Sequence, residues 1–244
     1  MKLSPLAVWQ WRELKTIDRA LLLLSIFCGV SYLLAPFLVA EQIHRYWIIN
    51  AIIKSLAVSP LAIIAFRLLP NLAGKLMGSA LIFSSIGDIF LALRNGDYFA
   101  FGLLSFLVAH LFFITLWLRN WSKPLSVNTA QRLLLIILIA FLVVMLWWLL
   151  PVPNGLSMPV TVYMFVLTTM VITAALANFK TAWIISGASL FMLSDSLIAL
   201  STFKNVVGGT LAGFLIWSTY YLAEYFIALG FFGEKKVSAQ SKAD

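Results

Sequence analysis

A single cysteine, Cys28, stands in the whole 244-residue chain, so no disulfide can form within it and the redox compartment stays open. The two histidines, His44 and His110, do not make a metal set, and neither a metal nor another cofactor is expected. No Gly-x-Ser-x-Gly, phosphate-loop or dinucleotide fingerprint occurs anywhere. Charge is scarce as well: 11% of residues are charged against 62% hydrophobic, and the mean hydropathy is +1.00. Those proportions exclude an ordinary soluble domain and describe an all-α, polytopic membrane protein. The net charge of +8 sits on basic residues scattered over loop ends and tails. Membrane topology accounts for that better than nucleic acid, and no nucleic-acid partner is expected.

What is abundant is apolar sequence of membrane-crossing length. About 20 residues at 1.5 Å rise cross the hydrocarbon. Runs of that kind fall at about 20–40, 46–69, 75–93, 98–118, 132–150, 159–178, 182–200 and 208–230. Turn signals such as Asn95-Gly96 and Pro151-Val-Pro-Asn-Gly155 separate several of them. The organisation read from this is an N-terminal cytoplasmic or interfacial segment, 1–19, an eight-helix transmembrane domain, 20–230, and a polar, disordered tail, 231–244. Leu38-Val-Ala40 before Glu41 resembles a cleavage site, but the first apolar run is too long and too late for a cleaved signal peptide.

Thirteen Lys and Arg fall on the side of the two termini, against Arg45, Arg94 and Lys204 opposite, which predicts both termini inside the cytoplasm. Asp195 follows Asp88 by 107 residues, and the same offset pairs Ser79 with Ser186, Ala92 with Ala199, Leu93 with Leu200 and Gly102 with Gly209. A parallel 4+4 internal repeat, with its axis along the membrane normal, is the reading of that offset.

Asp88 and Asp195 themselves are the most informative residues. Each lies inside an apolar span and is followed four residues on by Ala-Leu. A carboxylate in hydrocarbon costs at least a few kcal/mol, so each marks a functional site or a buried partner contact. Rise per residue puts both about 7 Å below the outer boundary, with Asn50 and Tyr163 near that level and Lys54 about 12 Å in. His110 and Tyr220 fall about 18 Å from the outside and Glu224 deeper still, as a polar floor beneath the acids. Salt bridging of the aspartates to Lys54 that merely holds helices together competes with a functional reading, and Glu224 sits near enough to its span's end to reach the interface. Gly74-xxx-Gly78 and Gly209-xxx-Gly213 read as close helix-packing sites. Two carboxyl groups sharing a low-dielectric site cannot both ionise easily. That suits a hydrolysis needing a proton donor and a water activator together. It suits a small proton-coupled transporter or a lipid-binding membrane protein equally.

Four stretches carry a further indication: Phe83-Ser-Ser-Ile-Gly-Asp88-Ile-Phe-Leu91, Phe101-Gly-Leu-Leu-Ser-Phe-Leu-Val-Ala-His110-Leu-Phe-Phe113, Gly187-Ala-Ser-Leu-Phe-Met-Leu-Ser-Asp195-Ser-Leu-Ile-Ala-Leu200 and Thr219-Tyr-Tyr-Leu-Ala223. In order and spacing they resemble the YhhN-like lysoplasmalogenase family, across nearly the whole chain, and Lys54 and Tyr163 fall where that family has a lysine and a tyrosine. Glu224 departs from the pattern, which has glutamine there. The resemblance implies a membrane hydrolase that cleaves the vinyl ether bond of lysoplasmalogens, and a short single-module chain with minimal tails suits a bacterial inner membrane, with an internal eukaryotic membrane as the alternative. The hydrolase's substrate would be lysoplasmenylcholine or lysoplasmenylethanolamine, and its products a fatty aldehyde and a glycerophospho-alcohol. Asp88 and Asp195 would be the acid/base pair, with Lys54, Asn50, Tyr163, His110, Tyr220 and Glu224 around the substrate and membrane lipids as the other partners.

Overall fold

The computed structural model describes residues 14–38, 47–93, 98–121, 127–179, 181–206 and 208–240. In hydrocarbon a backbone must satisfy its own hydrogen bonds, and the apolar runs do so as helices. Among the described residues there are eight: α1 (Thr16–Leu38), α2 (Trp47–Leu68), α3 (Leu72–Ala92), α4 (Phe99–Leu118), α5 (Thr129–Leu149), α6 (Ser157–Leu176), α7 (Trp183–Lys204) and α8 (Gly209–Gln240). All eight are long and apolar enough to cross a membrane, and the protein is a multi-pass integral membrane protein.

Polar side chains set several helix ends. The Asn71 side chain accepts from Gly74 N at the start of α3. Asn128 and Gln131 form a reciprocal capping box at the start of α5. Asn205 closes α7 in the left-handed region at φ 51°. Two boundaries differ from the sequence expectation. α1 begins at Thr16 rather than 20, because Asp18 in its first turn is buried and accepts a bond from Arg67 Nε at 2.8 Å. α8 continues past 230, because Phe231 and Phe232 are buried and the Glu234 carboxylate accepts from Thr181 N at 2.7 Å, just ahead of α7. The interfacial segment expected within 1–19 lies mostly outside the described residues, as do His44, Arg45, Arg94, Asn95-Gly96 and 241–244.

Neighbours in sequence pack as neighbours in space for α1–α2, α2–α3, α3–α4, α6–α7 and α7–α8. α4 then reaches α6, and α8 returns to α1 and α2. Seven helices thus close a ring, and α5 stands outside it against α6 and α7. Hydroxyl-to-carbonyl bonds tie the ring: Ser105 Oγ to Phe83 O at 2.6 Å joins α4 to α3, and Ser194 Oγ to Ile216 O at 3.0 Å joins α7 to α8. Most other hydroxyls, such as Thr168, Ser196 and Ser218, bond back to the carbonyl four residues earlier and so need no outside partner.

The half of the ring at which α1 starts and α8 ends is solid. Leu61, Leu81, Phe113, Trp117, Phe191 and Phe231 are all fully buried there. The α7–α8 contact depends on Gly187, where a Cβ would stand 2.8 Å from Ala223 O and 2.9 Å from Ile227 N. Backbone atoms cannot step aside, so Gly187→Ala is expected to destabilise by about 1–3 kcal/mol, read as a lowered melting temperature in detergent. Of the two Gly-xxx-Gly pairs, Gly78 meets the Phe66 ring and Gly74 meets Leu69, whereas Gly209 and Gly213 have nothing within 4 Å of a built Cβ. Among the described residues Gly209-xxx-Gly213 therefore packs against no other helix: Gly209 begins α8 at φ +62° and Gly213 faces a cavity.

Candidate active site

The other half of the ring, where α1 ends and α2 begins, encloses a cavity of about 160 Å³. Six helices contribute to its wall: Tyr32 and Ala35 of α1, Asn50 and Lys54 of α2, Asp88 of α3, Phe106 of α4, Ser194 and Asp195 of α7, and Trp217 and Tyr220 of α8. Asp88 and Asp195 thus reach one space from opposite sides, each nearly fully buried.

Each carboxylate accepts from a phenol. Tyr220 donates to Asp88 Oδ2 at 2.7 Å, and Tyr163 donates to Asp195 Oδ2 at 2.5 Å. Their other partners differ. Lys54 Nζ stands 3.0 Å from Asp88 Oδ1, a buried ion pair that supplies the partner of that oxygen. The same ammonium lies 5.6 Å from the Trp217 ring centre and 5.9 Å from that of Tyr32, so aromatic faces support the charge on its other side. Asp195 instead has His110, whose Nε2 is 3.4 Å from Oδ2 and 3.0 Å from the Tyr163 hydroxyl. A recess of about 30 Å³ adjoins Asp195, walled by Tyr163, Phe99, Leu103, Met164 and Phe203. That is room for a water with two polar partners, Asp195 and Tyr163.

Of the eight residues singled out in the sequence, Asn50, Lys54, Asp88, Asp195 and Tyr220 line the cavity, and Tyr163 lines the recess. His110 and Glu224 are fully buried and belong to neither wall. His110 is not a floor beneath the acids but a direct neighbour of one. α7 runs nine residues beyond Asp195 to Lys204, which places this carboxylate about 14 Å from that helix end rather than 7 Å. Glu224 does not reach an interface. Its carboxyl is buried one turn beyond Tyr220, with Ser84 and Tyr220 as polar neighbours. Sequence reasoning missed Tyr32, Trp217 and Ser194. Trp217 had a signal in its spacing, three residues before Tyr220 on the same face of α8. Among the described residues no three His, Cys, Asp or Glu side chains form a metal-binding group.

Fold and cavity together define a polytopic helical membrane protein with a two-carboxylate cleft inside its bundle. A model of the YhhN family matches residues 49–231, which includes every residue of the cleft outside α1, and the chain belongs to that family. A lysoplasmalogenase of Mycobacterium bovis is 38% identical over 167 residues, covering 67% of this chain and 63% of the relative. The match therefore spans a little under two thirds of the mycobacterial protein's length. Lysoplasmalogenase TMEM86B of Mus musculus is 29% identical over 205 residues, covering 80% of this chain and 84% of the relative. Lysoplasmalogenase TMEM86A of Homo sapiens is 34% identical over 158 residues, covering 61% and 62%. No solved structure matches the chain.

Proposed function

We propose that this protein hydrolyses the vinyl ether bond of lysoplasmalogens, releasing a fatty aldehyde and a glycerophospho-alcohol. The observation that carries the reading is the convergence of Asp88 and Asp195 on one cavity in the membrane, each held by a tyrosine hydroxyl. The relatives named lysoplasmalogenase support the substrate class. The packed far half of the ring favours a dead-end site over a transport path.

The chemistry needs one proton donor and one base, in sequence. The protonated member of the pair gives its proton to the β-carbon of the vinyl ether, and the ether oxygen's electrons form the double bond of an oxocarbenium ion. The ionised member faces that cation and takes a proton from water as the water oxygen bonds to the cationic carbon. When the hemiacetal collapses the roles reverse. The second carboxyl returns its proton to the departing glycerol oxygen, and the first takes the proton of the hemiacetal hydroxyl. Both end in their starting states. The two titrate as a coupled pair, and the cycle closes whichever of them begins protonated.

Tyr163 and Tyr220 fix the carboxyl orientations, and His110 backs Asp195 and the recess water. Lys54 and Asn50, nearest the mouth, hold the glycerol and phosphate of the headgroup. The test is aldehyde release from a synthetic lysoplasmenylcholine or lysoplasmenylethanolamine by purified protein in detergent. In heavy water the aldehyde should carry one deuterium at its second carbon. Absence of aldehyde across headgroups and pH sinks the reading, and aldehyde without that deuterium sinks the protonation step.

Glu224 takes no part in this cycle. Glu224→Gln installs the glutamine that the resemblance implies at this position and replaces a fully buried acid by a neutral group of the same shape. It is expected to keep aldehyde release within about threefold of the parent, because neither proton transfer passes through this carboxyl. Release falling as far as in an aspartate variant would place Glu224 in the proton machinery instead.

A further inference from the structure

One feature of α1 lies outside the site just described. A groove of about 690 Å³ runs along the lipid-facing side of this helix, lined by Leu23, Ile26, Phe27, Val30, Leu34 and Ala35, with Ser31 and with Ile53 of α2. The spacing of these α1 positions, three or four residues apart, makes them one continuous stripe. Ala35 belongs to the wall of this groove and to the wall of the acid cavity alike, and Ile53 is next in sequence to Lys54. The two spaces therefore adjoin at Ala35, near the end of α1.

We infer that this groove binds the single aliphatic chain of the substrate, with the first carbons at Ala35 and the chain end near Leu23. The inference rests on the cavity being the place where the ether is cleaved. Three observations favour a chain as the occupant. From Ala35 to Leu23 is about 18 Å of helix, close to the depth of one leaflet, which is about half of a 30 Å hydrocarbon core. The groove also descends from the cavity end of the bundle to a little past the middle of α1, as a lipid chain descends from its glycerol. Finally, most of this side of α1 is a poor seat for a second helix. Leu23, Ile26, Phe27 and Val30 are large, with Phe27 70% exposed, and the small residues Ser31 and Ala35 are confined to the cavity end, while Gly29 faces inward against the Tyr221 ring. Helix pairing in membranes relies on small residues at the contact.

The inner side of α1 is anchored, which keeps the groove in place. Trp217 Nε1 donates to Gly29 O at 2.9 Å, Tyr221 donates to Ser25 O at 2.8 Å, and Ser25 Oγ donates to Ala57 O.

The test uses a saturated 1-O-hexadecyl glycerophosphocholine with a diazirine near the chain end, photolysed with the purified full-length protein in detergent. Label is expected between Leu23 and Val30, and an excess of the unlabelled ether should compete it away. Competed label on another helix overturns the groove. So does α1 label that the excess ether leaves in place, which reports bulk lipid or detergent only, or a photocrosslinked second copy seated on the stripe. In turnover, Val30→Trp, with Leu23→Trp as the second variant, should lower kcat/KM for a hexadecenyl substrate at least about tenfold more than for an octenyl one. An unchanged chain-length profile in both folded variants also counts against the groove. Competed α1 label on a parent that makes no aldehyde would sink the hydrolase reading and leave the chain site standing.

Discussion

Replacing either aspartate by asparagine is expected to lower aldehyde release from a lysoplasmalogen by at least about a hundredfold while the protein stays folded. General acid–base groups contribute about 10²–10⁴ in rate, and here each carboxyl must both give and take a proton within one turnover. An amide can do neither at these steps. Structure should survive because the side-chain oxygen of asparagine still accepts the phenol: from Tyr220 in Asp88→Asn and from Tyr163 in Asp195→Asn. The two variants should differ in stability. Asp195 has only neutral-capable partners in His110 and Tyr163, whereas Asp88→Asn leaves the Lys54 ammonium without its contact charge. Lys54 keeps some access to the cavity mouth, at 12% exposure, and its long stem lets the ammonium turn outward. Asp88→Asn should therefore melt below Asp195→Asn, with both still single species on gel filtration. A folded variant of either kind that keeps more than a tenth of the parent rate rules out the paired-carboxyl cycle.

The second large effect is on stability and comes from Lys54. Lys54→Met leaves the Asp88 carboxylate, 1% exposed, with one phenol donor and no cation. Breaking a buried ion pair from one side costs about 3–5 kcal/mol, because the remaining charge is stranded in low dielectric. Removing both charges should restore much of that, so the double variant Lys54→Met with Asp88→Asn is expected to melt above Lys54→Met alone. The ordering separates a charge effect from a packing effect. If lost contact with Trp217 and Tyr32 were the cause, the second substitution would not recover the loss. A Lys54→Met protein as stable as the parent would show that the 3.0 Å contact contributes nothing.

The helices were legible in the sequence because membrane thickness fixes their length, and the two aspartates because hydrocarbon makes a carboxylate conspicuous. The partners of those acids were not. Rise per residue ranks groups along one helix, but it carries no information on stagger between helices or on how far a helix continues past its apolar run. Asp195 and His110 were set at different levels for that reason: α7 keeps going to Lys204 through Ser201, Thr202 and Phe203. The extension of α8 escaped notice likewise, since Glu234 looks like the start of a polar tail until Thr181 is seen beside it. Spacing also misjudged Gly209-xxx-Gly213. Small residues in a row permit close packing, and only the neighbours decide whether another helix or an empty cavity takes the room. Tyr32 and Trp217 show the same limit, as aromatic residues are ordinary in membranes until a lysine is found between them.

The solid half of the ring has a consequence for traffic. With Leu61, Phe113, Trp117 and Phe231 filling the bundle from the far side, whatever enters the cleft leaves by the end it came in or sideways, past α1 and α2 or by way of the apolar recess beside Asp195. On the proposed chemistry the products part company there: the aldehyde drains into the surrounding lipid and the glycerophospho-alcohol into water. On that proposal the site would serve one leaflet. Lysolipid in the opposite monolayer would be invisible to it until that lipid changed sides, so in a sealed vesicle the slow step for half of the substrate would be the lipid's own flip.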